Sequence, residues 1–168
     1  MTPLLYLDQN YLSGIAKHKP AFRELEPVLR EAVARGAVRV PESKAHRIES
    51  EARPDLRLLD LLRELSAGLR LPDELGAQEK NYARRLSRFA AAPFPERRPL
   101  ESDSVDLWAM ALALGHCRLI TCDAFTADVV RRARLDRRCD VELYTGRRTD
   151  VDHLRHRLVG LPGRSSPT

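Results

Sequence analysis

Two short apolar runs in this chain each end on an aspartate, and the second run follows an alanine-rich segment with a helical pattern. Residues Leu4–Leu7 precede Asp8, and residues 118–122 precede Asp123. Short apolar runs that alternate with helical patterns are typical of buried strands in a parallel sheet. The carboxyl ends of such strands lie at one edge of the sheet, where the functional groups of open α/β folds collect. The sequence therefore predicts that Asp8 and Asp123 lie close together.

The apolar periodicity of the whole chain predicts a single α/β domain over residues 1–160. At 168 residues and 43% hydrophobic content, the chain is long enough to bury one sizeable core. We expect a central parallel sheet of about four strands between two layers of helices, a three-layer α/β/α arrangement. The predicted strands are residues 3–8, 37–40, 118–123 and 141–144. Residues 161–168 are rich in Gly, Ser and Pro and are predicted to form a disordered tail.

Further acids accompany the two strand-end aspartates. Glu49 lies in the predicted helix after the second strand, and Asp103 and Asp106 lie where the alanine-rich helix begins. Two carboxylates about 4 Å apart repel each other by roughly 4 kcal/mol at an effective dielectric constant near 20. A divalent cation would offset that repulsion, and a group of carboxylates suits hard ions such as Mg²⁺ and Mn²⁺. The acids therefore indicate a metal centre.

Other function classes find less support in the sequence. The three cysteines form no CxxC pair, and the chain contains neither a GxxxxGK phosphate loop nor a GxSxG nucleophile motif. It also contains no apolar stretch of membrane-spanning length and no recognisable signal peptide, so we expect a cytoplasmic protein without membrane contact. The formal net charge of +5 favours a polyanionic partner.

Three segments carry a resemblance to a known family: LLYLDQNYLSG, PESKAHRIESE and DSVDLWAMALALGHCRLITCD. In their order and spacing they resemble the PIN domain, a metal-dependent nuclease fold. An apolar strand ends on Asp8, and Asn10 is the small polar residue that follows it. Glu49 corresponds best to the acid after the second strand. Asp106 is followed five and seven residues later by alanines, and a second strand closes on Thr-x-Asp at Asp123.

The resemblance implies a divalent-metal-dependent ribonuclease that hydrolyses RNA with a metal-activated water. Asp8, Glu49, Asp106 and Asp123 would be the catalytic residues and would hold Mg²⁺ or Mn²⁺. Asp103 is a further ligand or the alternative to Asp106. Four polar residues would either contact the substrate or support the ligands, and these are Asn10, Ser43, His46 and Thr121. Many PIN domains are toxins of toxin–antitoxin pairs, so an antitoxin protein and a homodimer are also expected partners.

Alternatives stay open at this point. Asp8 and Asp123 each precede a predicted helix, where an aspartate commonly caps the helix N-terminus. A PIN-like module that binds RNA or a protein without cleaving it is the main alternative function. A phosphatase-like α/β protein would need an acid where Asn10 stands, and a receiver-type protein would need one at Gln9.

Overall fold

The computed structural model describes residues 1–93 and 101–163, apart from the side chains of residues 101–103. In these ranges short strands alternate with helices. The strands are β1 (Leu5–Tyr6), β2 (Leu119–Thr121) and β3 (Glu142–Tyr144). The helices are α1 (Gln9–Ala16), α2 (Pro20–Arg23), α3 (Leu25–Ala34), α4 (Lys44–Glu51), α5 (Leu58–Ser66), α6 (Ala77–Ala91), α7 (Glu101–His116), α8 (Ala124–Arg132), α9 (Leu135–Cys139) and α10 (Arg148–Val159).

The three strands form one parallel sheet in the order β1-β2-β3. Tyr6 pairs with Ile120, and Ile120 pairs with Leu143, so the carboxyl ends of all three strands lie at the same edge. The prediction of an α/β fold with a parallel sheet is confirmed. Asp8, two residues beyond β1, and Asp123, two residues beyond β2, both follow this edge directly.

The prediction of about four strands was wrong for the described part of the chain. Residues 37–40 make only one isolated parallel bridge, between Arg39 and Leu4. The Leu5 N–H donates to the Arg39 carbonyl at 2.8 Å, and the Arg39 N–H donates to the Pro3 carbonyl at 3.0 Å. Pro41 follows the run and has no N–H to donate, so the ladder cannot extend in that direction.

Buried side chains alternate between the two faces of the sheet and enter two apolar cores. Leu5 and Leu119 face the first core, whereas Tyr6 and Ile120 face the second. Helices α1, α2, α3, α5 and α10 pack on the first core, and helices α6–α9 pack on the second. A period-two alternation of this kind is what a strand needs when both faces are covered. Helices thus flank the sheet on both sides.

Several helices differ in extent from the sequence prediction. The segment that starts near Asp55 divides into a short 3₁₀ turn, Pro54–Leu56, and α5, because Arg57 between them has a left-handed backbone with φ of 50°. Helix α7 begins at Glu101 and so starts earlier than predicted. Asp106 consequently lies in the second turn of α7 rather than at its beginning.

The end of the chain is partly held by the domain. Leu161, which the sequence analysis assigned to a disordered tail, is only 6% exposed and belongs to the first core. The Arg35 guanidinium donates to the Leu158 carbonyl at 2.6 Å and fixes the end of α10. Residues 164–168 lie outside the described residues, so their disorder stays a prediction.

Among the described residues, no helix is long and apolar enough to cross a membrane.

Candidate active site

Asp8 and Asp123 cap the two helices that leave the sheet edge. The Tyr11 N–H donates to Asp8 Oδ1 at 3.3 Å, and the Thr126 N–H donates to Asp123 Oδ1 at 2.7 Å. Both aspartates have an extended backbone, as N-cap residues do. The capping interpretation is therefore confirmed, and it is compatible with metal binding because each cap uses Oδ1 and a carboxylate has a second oxygen. The positive end of each helix dipole also favours the ionised carboxylate.

Thr121, the last residue of β2, joins the two strand ends. Its hydroxyl donates to Asp8 Oδ1 at 2.7 Å and accepts the Asp8 N–H at 2.8 Å. The side chain is fully buried. Thr121 was predicted either to contact the substrate or to support a metal ligand. The structure shows it hydrogen-bonded to Asp8, one of the candidate ligands.

Glu49 and Asp106 form a second pair of carboxyl groups. The pKa of Glu49 is raised to about 7, mainly by burial and also by the negative charges of Asp106 and Asp8 and by a hydrogen bond with Asp106. Near neutral pH this pair therefore holds one proton for part of the time. The side chain of Asp103, the alternative to Asp106, lies outside the described residues.

The four predicted acids line the same pocket although they come from four separate segments. Burial raises the pKa of Asp8 to about 6, partly offset by hydrogen bonds from Thr121 and Tyr11, and the charge of Asp123 raises it too. The pocket encloses about 200 Å³, which is smaller than the usual 300–1,000 Å³ of pockets for drug-sized ligands. It suits an ion and a phosphate group better than a whole nucleotide. The polar residues that line it are Asp8, Gln9, Asn10, Glu49, Asp106, Thr121, Asp123 and Thr126.

The donor chemistry of this pocket fits a hard divalent cation. The acids offer oxygen ligands only, and the raised pKa values of Asp8 and Glu49 reflect burial and mutual repulsion that a cation would offset. In the described part of the chain, however, no group of three or more His, Cys, Asp or Glu side chains is close enough together to hold a metal ion. The four carboxyl groups thus share a pocket without converging on one point.

His46 and Ser43 lie behind the pocket rather than in it. The Ser43 N–H donates to His46 Nδ1 at 2.9 Å, so the proton is on Nε2, which donates to the Leu7 carbonyl at 2.6 Å. The imidazole is fully buried and stacks on the Tyr6 ring, with the centroids 4.9 Å apart. Burial lowers the pKa of His46 to about 4. His46 therefore positions the backbone just before Asp8, and a contact with substrate is excluded by its burial.

Gln9 is a pocket residue that the sequence analysis did not select. Its side-chain Oε1 and Nε2 are both buried and have no hydrogen-bond partner among the described residues. An unpaired buried amide costs free energy, so its presence beside Asp8 suggests a ligand-binding role. The only sequence signal is its position directly after a strand-end aspartate. Asn10, which was selected, lines the pocket and is exposed.

Comparisons of the chain with models of protein families, with curated proteins and with solved structures returned no significant match.

Proposed function

We propose that this protein is a divalent-metal-dependent ribonuclease of the PIN type, which hydrolyses phosphodiester bonds of RNA. One observation carries the proposal: Asp8, Glu49, Asp106 and Asp123 line one pocket at the carboxyl edge of a parallel sheet. This edge is where the active sites of open α/β folds lie. The order of the acids along the chain also follows the PIN pattern.

Asp8 and Asp123 would hold Mg²⁺ or Mn²⁺ together with Glu49 and Asp106. When bound, such an ion lowers the pKa of a water molecule and neutralises charge on the phosphate. The helix caps and Thr121 keep the two aspartates in place before any ligand arrives. Preorganised groups of this kind need little rearrangement during the reaction.

The charge of the Glu49–Asp106 pair depends on pH. Because the pKa of Glu49 is raised to about 7, one of the two carboxyl groups carries a proton in much of the population at neutral pH. Release of that proton gives the pair its full negative charge. The pocket would then strongly repel an RNA phosphate, so the proposal requires a cation for the scissile phosphate to enter the pocket.

RNA cleavage by Asp8→Asn and Asp123→Asn variants in the presence of Mg²⁺ or Mn²⁺ tests this function. Asparagine is as good an N-cap as aspartate, so both variants keep the capping hydrogen bond but lose a negative charge. We expect cleavage to fall by about a hundredfold or more in each, which is typical of losing one group that supports stabilisation of charge in the transition state. Asp55→Asn, at an exposed aspartate in the 3₁₀ turn, is the matched control. Unchanged cleavage in both pocket variants would overturn the proposal.

A PIN-like module that binds RNA or protein without cleavage is the second candidate. The absence of a converged group of ligands among the described residues favours it. Titration with Mn²⁺ separates the two functions, because the nuclease binds the ion at the pocket and the module does not. Binding that is lost in Asp8→Asn supports the nuclease.

The biological setting belongs to the same proposal. A cytoplasmic toxin with an antitoxin partner fits the PIN resemblance, and a homodimer is the expected assembly. A small antitoxin gene next to this one would support that setting. Co-purification of its product with this chain would test it directly.

A further inference from the structure

One face of helix α6 is occupied by arginines. Asn81, Arg84, Arg85 and Arg88 follow one another at helical spacing, and Arg138 of α9 completes the lining of a shallow groove. We call this surface the arginine groove. Its charged lining residues are all arginines.

Two of these arginines are held in place by groups other than acids. Arg85 Nε donates to the Ala133 carbonyl at 2.8 Å, and its guanidinium carbon lies 5.4 Å from the centre of the Phe89 ring. The Arg84 guanidinium donates to the Asn81 side chain. The groove is therefore partly ordered without an anion.

Negative charge is missing from this surface in the part of the chain that the structure describes. None of the four arginines forms an ion pair with a described carboxylate. Arginines elsewhere do, as in the pair of Arg132 with Asp128 at 2.7 Å and that of Arg157 with Glu142 at 2.9 Å. Arg84 and Arg88 are one helical turn apart, where like charges are destabilising. A polyanionic ligand would offset that repulsion.

The groove is tied to the helices that carry the acidic pocket. At the start of α6, Glu79 Oε1 lies 3.5 Å from His116 Nε2 at the end of α7, so the two helices are in contact there. The Arg85 contact with Ala133 also joins α6 to the far end of α8, the helix capped by Asp123. Helix α8 has nine residues and is about 13 Å long.

We propose that the arginine groove binds the phosphodiester backbone of the RNA strand whose scissile bond enters the acidic pocket. This inference rests on the proposed ribonuclease function. The guanidinium group presents its N–H donors in a planar fork that matches two phosphate oxygens, and it stays charged at all physiological pH values. Contacts to phosphates hold a strand in register without reading its sequence. A binding surface for the RNA backbone outside the pocket is useful because the carboxylates of the pocket repel phosphate groups.

Binding of a fluorescein-labelled single-stranded oligoribonucleotide, measured by anisotropy in EDTA, tests the groove without cleavage. The variant is Arg84→Gln with Arg88→Gln, two exposed positions where glutamine keeps the helix propensity. Each phosphate contact to a single strand contributes about 0.7 to the slope of log affinity against log salt. We expect the slope to fall by about 1.4 and the affinity to fall about twentyfold at roughly 0.1 M salt.

Arg23→Gln with Arg57→Gln is the matched control, since it removes the same two charges from exposed positions on α2 and before α5. We expect this control to bind within about twofold of the unchanged protein. Arg84→Lys with Arg88→Lys retains both charges and should restore the salt slope. Equal binding by the groove variant and the control would overturn the proposal.

The same variants separate this inference from the ribonuclease proposal. If the groove variant loses binding but the unchanged protein cleaves no RNA with Mg²⁺ or Mn²⁺, the groove is supported and the nuclease function fails. If the protein cleaves RNA and the groove variant binds and cleaves as well as the control, the nuclease function is supported and the groove fails.

Discussion

The Thr121 hydroxyl binds Asp8 twice, donating to its Oδ1 at 2.7 Å and accepting from its backbone N–H at 2.8 Å. The two residues are 113 positions apart in the chain. One side chain thus fixes the end of β2 to the beginning of α1. Because the Asp8 carboxylate also accepts the Tyr11 N–H at the start of α1, the hydroxyl of Thr121 and this cap together position a candidate ligand.

Replacement of Thr121 by valine keeps the shape of the side chain and removes both hydrogen bonds. The Asp8 N–H and its carboxylate then lose a buried partner, which costs roughly 1–3 kcal/mol for each unsatisfied group. We expect the free energy of unfolding to fall by about 2–3 kcal/mol. The hydrogen bond from Thr121 lowers the pKa of Asp8, so its loss should raise that pKa above about 6.

Urea denaturation gives the stability, and carboxyl NMR titration gives the pKa of Asp8. Thr121→Ser is the control, because it keeps the hydroxyl and loses only a methyl group. A valine variant as stable as the serine variant would show that the double hydrogen bond has no energetic weight.

His46 should make the protein sensitive to acid. Burial lowers its pKa from 6.5 to about 4, so the unfolded chain binds a proton more readily than the folded protein. Its contribution to stability is complete above pH 6.5 and is lost as the pH falls through about 4. A difference of about 2.5 pKa units corresponds to a loss of up to about 3 kcal/mol.

His46→Gln is the informative variant, since glutamine at this helix position can still bond to the Ser43 N–H. We expect the variant to be less stable at pH 7 and to lack the acid-dependent loss attributed to His46. Asp8 and Glu49 titrate in the opposite sense, so the difference between the two unfolding free energies is the quantity to follow from pH 7 to pH 4. A difference that does not change with pH would contradict the assignment.

The sequence predicted the strand-end aspartates because apolar runs and capping preferences are local signals. It also predicted that Glu49 and Asp106 would join them, and both line the pocket. The fourth strand could not be judged locally, since an apolar run such as residues 37–40 becomes a strand only if a neighbour continues the ladder. The single bridge from Arg39 to Leu4 shows that it does not.

Long-range hydrogen bonds were the main features that the sequence did not predict. The partner of His46 is the Leu7 carbonyl, 39 residues away, whereas the sequence predicted a contact with the substrate or with a candidate ligand. Breaks in helices were missed where non-glycine residues adopt a left-handed backbone, as Arg57 and Arg134 do. The intrinsic conformational preferences of the residues do not predict such positions, because tertiary packing determines them.

Gln9 should be a site where stability and function conflict. Its two polar side-chain atoms are buried and lack a hydrogen-bond partner in the described structure. Gln9→Met keeps the length of the side chain and removes both atoms, so we expect the free energy of unfolding to rise by about 1–2 kcal/mol. We also expect RNA cleavage to fall, because the amide lies at the pocket beside Asp8. A less stable Gln9→Met protein would refute the cost assigned to the buried amide.

The ionised carboxylate of Asp8 should lower the free energy of unfolding of the metal-free protein and raise that of the metal-bound protein. Its folded pKa of about 6 exceeds the ordinary 3.8, so its favourable contribution is present below about pH 4 and is lost as the pH rises through about 6. Asp8→Asn removes the charge but keeps the N-cap, and we expect it to raise the free energy of unfolding in EDTA at pH 8 by about 2 kcal/mol.

Addition of Mn²⁺ should reverse the order of stability of the unchanged protein and the Asp8→Asn variant. An ion at a hundredfold excess over its Kd stabilises the folded protein by about 2.7 kcal/mol, and the variant should lose that gain. Equal stabilisation of both proteins by Mn²⁺, measured by thermal unfolding, would place the ion elsewhere, because a pocket ion must depend on the Asp8 carboxylate.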